Sequence, residues 1–457
     1  MSFNFNPDEL SDFARYYGFH YDNWDPQALA WDVLIDMERG LNGLSSSLPM
    51  IPSYISPVSQ LPAGKTVLAL DAGGTNLRSS LIHFDEQGGL IAQNTVKAAM
   101  PGTAGRVSAE QFFDQIAGAV MPLLDTGPVI DGIGFTFSYP MEIQSNADGI
   151  LAALSKEVDA PELIGKAIGA GLREALSRRA YKNDCPIVLL NDTVATLLSG
   201  IAAIPADGEA VQTKNSYRYS GGPVIGFILG TGFNTAYPET SIPKINFESH
   251  SAPQIVVCET GTFNLRYRGP LDRGYDSTTK NPDTYTLEKT TSGAYLGPLT
   301  LHILKQAVKD KVLCFKKADE LLAWNHLETR ILNEFIHAPL AAQGPLGSLF
   351  GPDDGDALAA VQYLISIITE RGALFSAAVL AATVERIYAG SSDSIRPYNP
   401  VRIAVEGTTY LIYKGMRRSL ESWLHFMLVK GKPRPYIISP VEQASLYGAA
   451  VAALTRT

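Results

Sequence analysis

The chain has few of the residues that disulfide frameworks and metal sites require. Its 457 residues include only three cysteines, Cys185, Cys258 and Cys314, an odd number at long intervals. The seven histidines show no paired spacing of the kind His-x-x-x-His. We therefore expect free thiols in a reducing compartment, the cytoplasm, and no metal ion bound by the protein itself.

The sequence also lacks an excess of basic residues and a long apolar run. Lys and Arg number 37 against 46 Asp and Glu, a formal net charge of −9. This charge opposes binding to nucleic acid or to an anionic membrane surface. No apolar run approaches the ~18 residues of a membrane span, and the first nine residues lack the basic and apolar segments of a signal peptide. We predict no nucleic-acid or membrane partner.

Two widespread catalytic signatures are missing as well, the Gly-x-Ser-x-Gly elbow and the Gly-x-x-x-x-Gly-Lys-Ser/Thr P-loop. What remains is an ordinary globular composition, with 46% hydrophobic and 18% charged residues. At ~150 residues per domain the length suggests about three domains, with two or one still possible.

Short apolar runs alternate with helical patterns, which predicts an α/β protein. Two runs lead directly into glycine turns and a following strand, at 67–84 and at 224–237. This faint internal repeat suggests two related domains facing each other. The other predicted elements are a helix from Asp25-Pro26 to near Gly40, a proline-rich linker at 45–62, strands at 90–96, 132–137, 187–190 and 401–406, loops at 206–222 and 343–355, a helix at 356–388 and a C-terminal helix.

The first glycine turn lies in the segment 71–78, which reads DAGGTNLR. Its glycines let backbone N–H groups approach phosphate oxygens. Thr75 and Asn76 add donors, Arg78 adds a cation, and Asp71 can hold magnesium through water. The alternative is an ordinary hairpin turn. The second turn, Gly230-Thr231-Gly232, is weak evidence alone and gains weight from its likeness to the first.

Asn191-Asp192 ends an apolar run, at the strand edge where α/β proteins bind ligands. Asp192 is a natural acceptor for a hydroxyl proton. The competing interpretation makes Asp192 the N-cap of a helix over 193–201.

Several polar residues are candidates for recognition of a polyol, although each alone is more often a surface group. They are Glu259, Glu288, Ser138, Ser155, Lys156 and Asn234.

Read in order, these segments resemble the eukaryotic-type hexokinase family, collinearly from about Ser46 to the C-terminus. The matching segments are the phosphate motifs at 68–78 and 230–234, the sugar loop at 134–140, Leu154-Ser155-Lys156, Asn191-Asp192-Thr193, the glutamate segments at 258–263 and 287–297, and the adenosine loop at 407–410. The chain departs from the family at Leu154, Ser155, Glu157, Thr260 and Glu406, where Trp, Thr, Gly, Trp and Asp are usual.

The resemblance implies an α/β fold of two ribonuclease-H-like domains, of the actin and hexokinase type, flanking a cleft. The small domain would comprise 62–190 plus 436–457, and the large domain 1–61 plus 191–435. The implied protein is one catalytic unit, a monomer or homodimer, that transfers the γ-phosphoryl of MgATP to the 6-hydroxyl of a hexose, with D-glucose as the first candidate.

The resemblance also implies individual roles. Asp192 would accept the hydroxyl proton, while Lys156, Arg78 and Thr231 would donate to the transferring phosphoryl. The hexose would be bound by Ser138, Ser155, Lys156, Asn191, Asp192, Asn234, Glu259 and Glu288. The nucleotide would be bound by Asp71, Gly73, Gly74, Thr75, Asn76, Arg78, Thr231, Gly232, Gly407 and Thr408, with Asp71 steering magnesium through water.

Three other functions fit parts of the pattern. They are a non-catalytic sugar- or nucleotide-binding regulator on the same fold, an actin-like filament protein, and a kinase that prefers mannose or fructose. Retention of Asp192, Lys156 and Arg78 together favours an enzyme, because a binding module has no need of a base.

Overall fold

The computed structural model describes most of the chain. The described residues are 5–58, 61–86, 89–154, 158–202, 222–245, 253–337, 344–390, 400–429 and 433–456.

Helices and strands are interspersed over the first 257 residues, and helices then follow one another as far as residue 390. The helices are α1 (Pro7–Tyr16), α2 (Pro26–Leu41), α3 (Ala109–Thr126), α4 (Ile168–Arg178), α5 (Asp192–Ala202), α6 (Pro270–Asp276), α7 (Glu288–Thr291), α8 (Leu296–Lys309), α9 (Ala318–Ala323), α10 (Thr329–His337), α11 (Gly344–Gly347), α12 (Gly355–Gly390), α13 (Thr408–Leu411), α14 (Met416–Val429) and α15 (Ala444–Ala453). The strands are β1 (Ile51–Pro52), β2 (Thr66–Ala72), β3 (Asn76–Phe84), β4 (Leu90–Ala99), β5 (Gly132–Phe137), β6 (Met141–Ile143), β7 (Gly149–Leu151), β8 (Ile187–Leu190), β9 (Val224–Leu229), β10 (Phe233–Glu239), β11 (Gln254–Val257), β12 (Val401–Glu406) and β13 (Tyr436–Pro440).

Two mixed sheets share one strand pattern. The five-stranded sheet has the order β4-β3-β2-β5-β8, and the six-stranded sheet has the order β1-β11-β10-β9-β12-β13. In each sheet an antiparallel hairpin, β2–β3 or β9–β10, continues into parallel strands. The predicted α/β architecture and its internal repeat are thus confirmed, with the two glycine turns in equivalent places.

Helices α5 and α15 pack against each other between the two sheets. The small residues of α15 permit a close approach, because a Cβ on Gly448 would lie 2.1 Å from the carbonyl oxygen of Ala195. Helix α15 also contacts β2 and β5, and α5 contacts β9. The two helices therefore connect the two sheets.

Helix α12 forms the centre of the larger core, as the predicted helix at 356–388 anticipated. It corrects the expectation that no apolar run is long enough to span a membrane. An 18-residue window of α12 has a mean hydropathy of 1.6. Because 89% of that window is buried inside the protein, packing in the core accounts for its composition.

Two segments predicted to be irregular contain short elements. Within the 45–62 linker, β1 pairs with β11, with Ile51 opposite Val257. Within the 343–355 loop, α11 buries Leu346. The predicted loop at 206–222 lies outside the described residues except for Gly222. The helix predicted from Asp25 is confirmed, with the Asp25 carboxylate accepting from the backbone N–H of Ala28 at 2.7 Å.

One observation bears on the predicted domain boundaries. Strand β13 lies inside the 436–457 segment that we assigned to the small domain, yet it pairs with β12 in the six-stranded sheet. Helix α15, from the same segment, lies against the five-stranded sheet. The boundaries themselves stay a prediction.

Candidate active site

The first glycine turn joins β2 to β3 and sets Asp71 directly opposite Arg78. The guanidinium of Arg78 donates from Nε to Asp71 Oδ2 at 2.8 Å and from Nη2 to the same oxygen. Asp71 is buried at the end of its strand, whereas the Arg78 side chain is 39% exposed. The turn is closed by the N–H of Gly73, which donates to the carbonyl of Asn76 at 3.0 Å. The predicted anion and cation therefore form one charge-assisted pair at the mouth of the turn.

The second glycine turn joins β9 to β10 and contacts two further loops. The carbonyl of Gly230 accepts from the N–H of Gly293 at 2.7 Å and from the hydroxyl of Thr409 at 2.8 Å. Gly407 has a φ of 120°, and a Cβ there would lie 2.3 Å from the carbonyl oxygen of Leu229. Only glycine fits this close approach. The predicted phosphate turn and adenosine loop are thus neighbours, and Gly293 joins them without having been assigned to the site.

Asn191 and Asp192 lie where β8 meets α5, and Asn191 rather than Asp192 caps the helix. The side-chain oxygen of Asn191 accepts from the N–H groups of Thr193 and Val194 at 2.8 and 3.0 Å. Asn191 is therefore the N-cap of α5, and the N-cap interpretation of Asp192 is wrong. The carboxylate of Asp192 lies in the first helical turn, where the helix dipole stabilises a negative charge.

The predicted polyol ligands of the larger sheet lie together. Asn234 donates from Nδ2 to Glu259 Oε1 at 3.1 Å, and its oxygen accepts from the N–H of Thr260 at 3.2 Å. Glu288 Oε2 accepts from the N–H of Phe233 at 3.0 Å. Asn234 and Phe233 are neighbours on β10, so one strand end orients both carboxylates.

These carboxylates influence one another electrostatically. Burial, followed by the negative charge of Asp192, raises the pKa of Glu259 to about 7, although the Asn234 hydrogen bond opposes the rise. Burial also raises the pKa of Glu288. The hydrogen bond from the N–H of Phe233 lowers that pKa, and the negative charge of Asp192 raises it. A ligand that donates hydrogen bonds to these carboxylates would therefore relieve an unfavourable concentration of negative charge.

Glu406 ends β12 and lies near Asp192 and Asp71, and it was not among the predicted site residues. Burial, then the charges of Asp192 and Asp71, raise its pKa to about 7. Its Oε2 accepts from the hydroxyl of Thr196 at 3.3 Å. The sequence feature that could have identified Glu406 is its position directly before the adenosine loop, where the family that this chain resembles usually has Asp.

Of the remaining predicted ligands, Ser138 follows β5 and donates its N–H to the carbonyl of Ala72 at 3.3 Å. It therefore lies beside the first glycine turn. Ser155 and Lys156 fall outside the described residues. Thr260, one of the departures from the family, is buried and approaches Thr235 rather than facing the carboxylates, with 3.5 Å between the two hydroxyl oxygens.

Within the described parts of the chain, no group of three or more His, Cys, Asp or Glu side chains has the arrangement of a metal site. A groove of about 610 Å³ adjoins the adenosine loop and runs along α13 and α14 from Tyr410 to His425. Its walls carry both aromatic and basic side chains.

Comparison with known proteins identifies the family. A family model described as Hexokinase matches residues 224–455, and a second model with the same description matches residues 16–202. The chain is 29% identical over 461 residues to hexokinase-2 of Candida albicans, covering 94% of this chain and 88% of that protein. It is also 29% identical to hexokinase-1 of Oryza sativa subsp. japonica, covering 92% and 85% of the two chains.

Among solved structures, the fold is similar to that of the hexokinase from Schistosoma mansoni complexed with glucose. The TM-score is 0.73 at 23% identity, and the similarity covers 98% of this chain and 99% of that one. This likeness confirms the predicted fold of two domains of the actin and hexokinase type. Since the two family models together span nearly the whole chain, the protein belongs to the hexokinase family and is a hexose phosphotransferase.

Proposed function

We propose that this enzyme transfers the γ-phosphoryl of MgATP to the 6-hydroxyl of D-glucose. The observation that carries the proposal is the cluster of Asp192, Glu259 and Glu288 beside the amide of Asn234. Glu259 and Glu288 are half-buried carboxylates with raised pKa values, so their charged forms need hydrogen-bond donors. The hydroxyls of a hexose supply several donors at once.

Asp192 is the proposed base. Its position on the first turn of α5 favours the ionised carboxylate, while Asn191 provides the helix cap. An ionised carboxylate beside the acceptor hydroxyl takes its proton as the bond to phosphorus forms. The amide nitrogen of Asn191 would then donate to the same hexose.

Glu259, Glu288 and Asn234 are the proposed sugar ligands of the large domain. The Asn234 amide donates to Glu259, so it fixes the orientation of that carboxylate. Glu288 uses Oε2 for the N–H of Phe233, and Oε1 would accept from the sugar. Ser138, together with Ser155 and Lys156 outside the described residues, would approach from the small domain.

The two glycine turns are the proposed phosphate sites, with Thr75, Asn76, Thr231 and the backbone of the turns as donors. Arg78 is bonded to Asp71 in the structure. Magnesium that arrives with the nucleotide would be attracted to Asp71 through water. That attraction would compete with Arg78 for the carboxylate and turn the guanidinium toward the transferring phosphoryl. Gly407 and Thr408 would hold the nucleoside end beside the groove along α13 and α14.

The proposed ligands lie on both sheets, which supports a small domain of 62–190 plus 436–457 and a large domain of the remainder, with the strand β13 contributing to the large sheet. A bound hexose would bridge the two domains, and its contacts would assemble the site. We also propose a cytoplasmic location, supported by the free thiols of Cys185, Cys258 and Cys314.

A coupled assay of ADP release over a panel of hexoses tests the proposal. We expect the highest kcat/KM with D-glucose and lower values with mannose and fructose. A preference for mannose or fructose would overturn the choice of glucose. No sugar-dependent ADP release with any hexose would contradict the proposed reaction.

A further inference from the structure

A buried cluster of charged side chains lies directly behind the turn that carries Glu288. Lys289, the next residue, donates from Nζ to Asp276 Oδ1 and to the carbonyl of Asn281, the latter at 2.6 Å. Arg268 donates to Asp276 Oδ2 at 2.7 Å and to Asp283 at 3.1 Å. Lys289 and Asp276 are 4% and 5% exposed. The two cations thus share one buried anion, Asp276, with almost no access to water, and the exposed Asp283 balances the second positive charge from the surface.

The hydrogen bonds of this cluster are directed onto the loop between α6 and α7. Asp276 Oδ2 also accepts from the N–H of Asp283 at 2.9 Å. Burial alone would raise the pKa of Asp276, but the hydrogen bonds from Lys289 and Arg268 hold it below its usual value. Asp276 is therefore a fixed anion that anchors Lys289.

Stability alone gives little reason for such a cluster. A buried ion pair is often no more stabilising than well-packed apolar side chains of similar size. Helix α7 is a single turn, from Glu288 to Thr291, and a helix this short does not hold its shape without tertiary contacts. The bond between Lys289 and Asp276 is such a contact, one residue from the proposed sugar ligand.

We propose that Lys289 and Asp276 are positioning residues that hold Glu288 in the orientation and charge state that hexose binding requires. The proposal rests on the function proposed above for Glu288. Lys289 acts through geometry, because its anchored side chain fixes the turn. It also acts through charge, because its ammonium is the nearby cation that favours the Glu288 carboxylate.

The charge effect has an identifiable signature in pH. Burial raises the pKa of Glu288, the N–H of Phe233 opposes the rise, Asp192 adds to it and Lys289 opposes it. The other ionisable groups that interact with Glu288 are Glu259, Tyr285 and Tyr295. Removing the cation of Lys289 raises the pKa of Glu288 further. The carboxylate is then lost at a higher pH than in the wild-type protein.

The experiment measures the KM values for glucose and ATP at pH 6.5 and pH 9 in the full-length protein. For Lys289→Met we expect the glucose KM to rise at least ~10-fold at pH 6.5, the scale of one weakened charge-assisted hydrogen bond. The rise should be clearly smaller at pH 9, because a higher pKa of Glu288 matters less at higher pH. The ATP KM should change less than ~2-fold, because independent sites influence each other by no more than about this factor. Lys289→Arg keeps the charge and should restore most of the glucose affinity at both pH values.

Asp283→Asn is the matched control. It removes a charge from the same cluster, but its side chain is 87% exposed, and Asn tolerates its positive φ of 61°. We expect its glucose KM to remain near the wild-type value. Should Lys289→Met fail to fold, Lys289→Gln, which can still donate one hydrogen bond to Asp276, is expected to give the same pH-dependent loss.

Three results would overturn the proposal. They are an unchanged glucose KM, an equal rise at both pH values, and an equal rise for glucose and ATP. Glu288→Gln separates this failure from that of the proposed function. If Glu288→Gln raises the glucose KM and the Lys289 variants do not, only the positioning role is refuted. If Glu288→Gln leaves the glucose KM unchanged, Glu288 is not a sugar ligand and both proposals fall.

Discussion

Replacing Glu259 by Gln should make the free protein more stable while it weakens the binding of hexose. Glutamine keeps the shape of the side chain, and its oxygen can still accept the hydrogen bond from Asn234. The substitution removes a half-buried charge whose pKa is raised to about 7 by burial and by Asp192. The ionised Glu259 side chain is thus expected to lower the stability of the free protein while it contributes to the binding of the hexose.

The magnitude follows from linkage. The folded pKa of Glu259, about 7, exceeds the ordinary value of 4.5 by about 2.5, which corresponds to roughly 3 kcal/mol of unfolding free energy at most. The group is protonated in both states below pH 4.5, so it costs nothing there. Between pH 4.5 and 7 the unfolded chain loses the proton first, and stability falls as pH rises. Above pH 7 the full cost is present.

The assay is chemical denaturation of the wild-type protein and Glu259→Gln, without sugar, at pH 5 and pH 8. The variant should gain little at pH 5 and of order 1–3 kcal/mol at pH 8. Calorimetric titration with glucose should show its affinity lowered by at least ~10-fold, the loss of one charge-assisted hydrogen bond. The reasoning is refuted if Glu259→Gln is less stable than the wild type at pH 8, or if its gain is the same at both pH values.

Two further substitutions test the assigned roles. Asp192→Ala should lower kcat by at least ~10²-fold in a protein whose circular dichroism is unchanged, because the general base is lost; near wild-type turnover would leave Asp192 without a catalytic role. Glu288→Gln should weaken glucose binding by roughly 1.5–3 kcal/mol and ATP binding much less, as calorimetry can measure; equal weakening of both ligands would count against a sugar contact.

The strands and turns that frame the site were predictable from local sequence. Strands β5 and β8 begin and end at the predicted residues, and both glycine turns lie between the strands expected to flank them. Apolar runs of four to seven residues that are bounded by glycine or polar residues carry this information without reference to the rest of the fold. The same holds for α2, which begins at its Asp-Pro signal.

The features that were missed depend on contacts between distant residues. Strand β1 is only two residues long and exists because Ile51 and Pro52 meet β11, about 200 residues later. Asn191 and Asp192 are both good N-caps, so only the observed hydrogen bonds distinguish them. Glu406 is one of many carboxylates until β12 brings it near Asp192 and Asp71. The local sequence contains no pattern that predicts such contacts between distant residues.

The residues proposed as ligands lie on two sheets, so catalysis should wait until a hexose brings the domains together. Water would otherwise compete with the sugar hydroxyl for the phosphoryl group. Small-angle scattering offers a supporting observation, since glucose alone should reduce the radius of gyration.

The most direct test is the rate of ADP release at saturating ATP with and without glucose. Induced fit predicts that release without sugar is at least ~10³-fold slower than with it. Rapid ADP release in the absence of sugar would contradict a site that the hexose itself assembles.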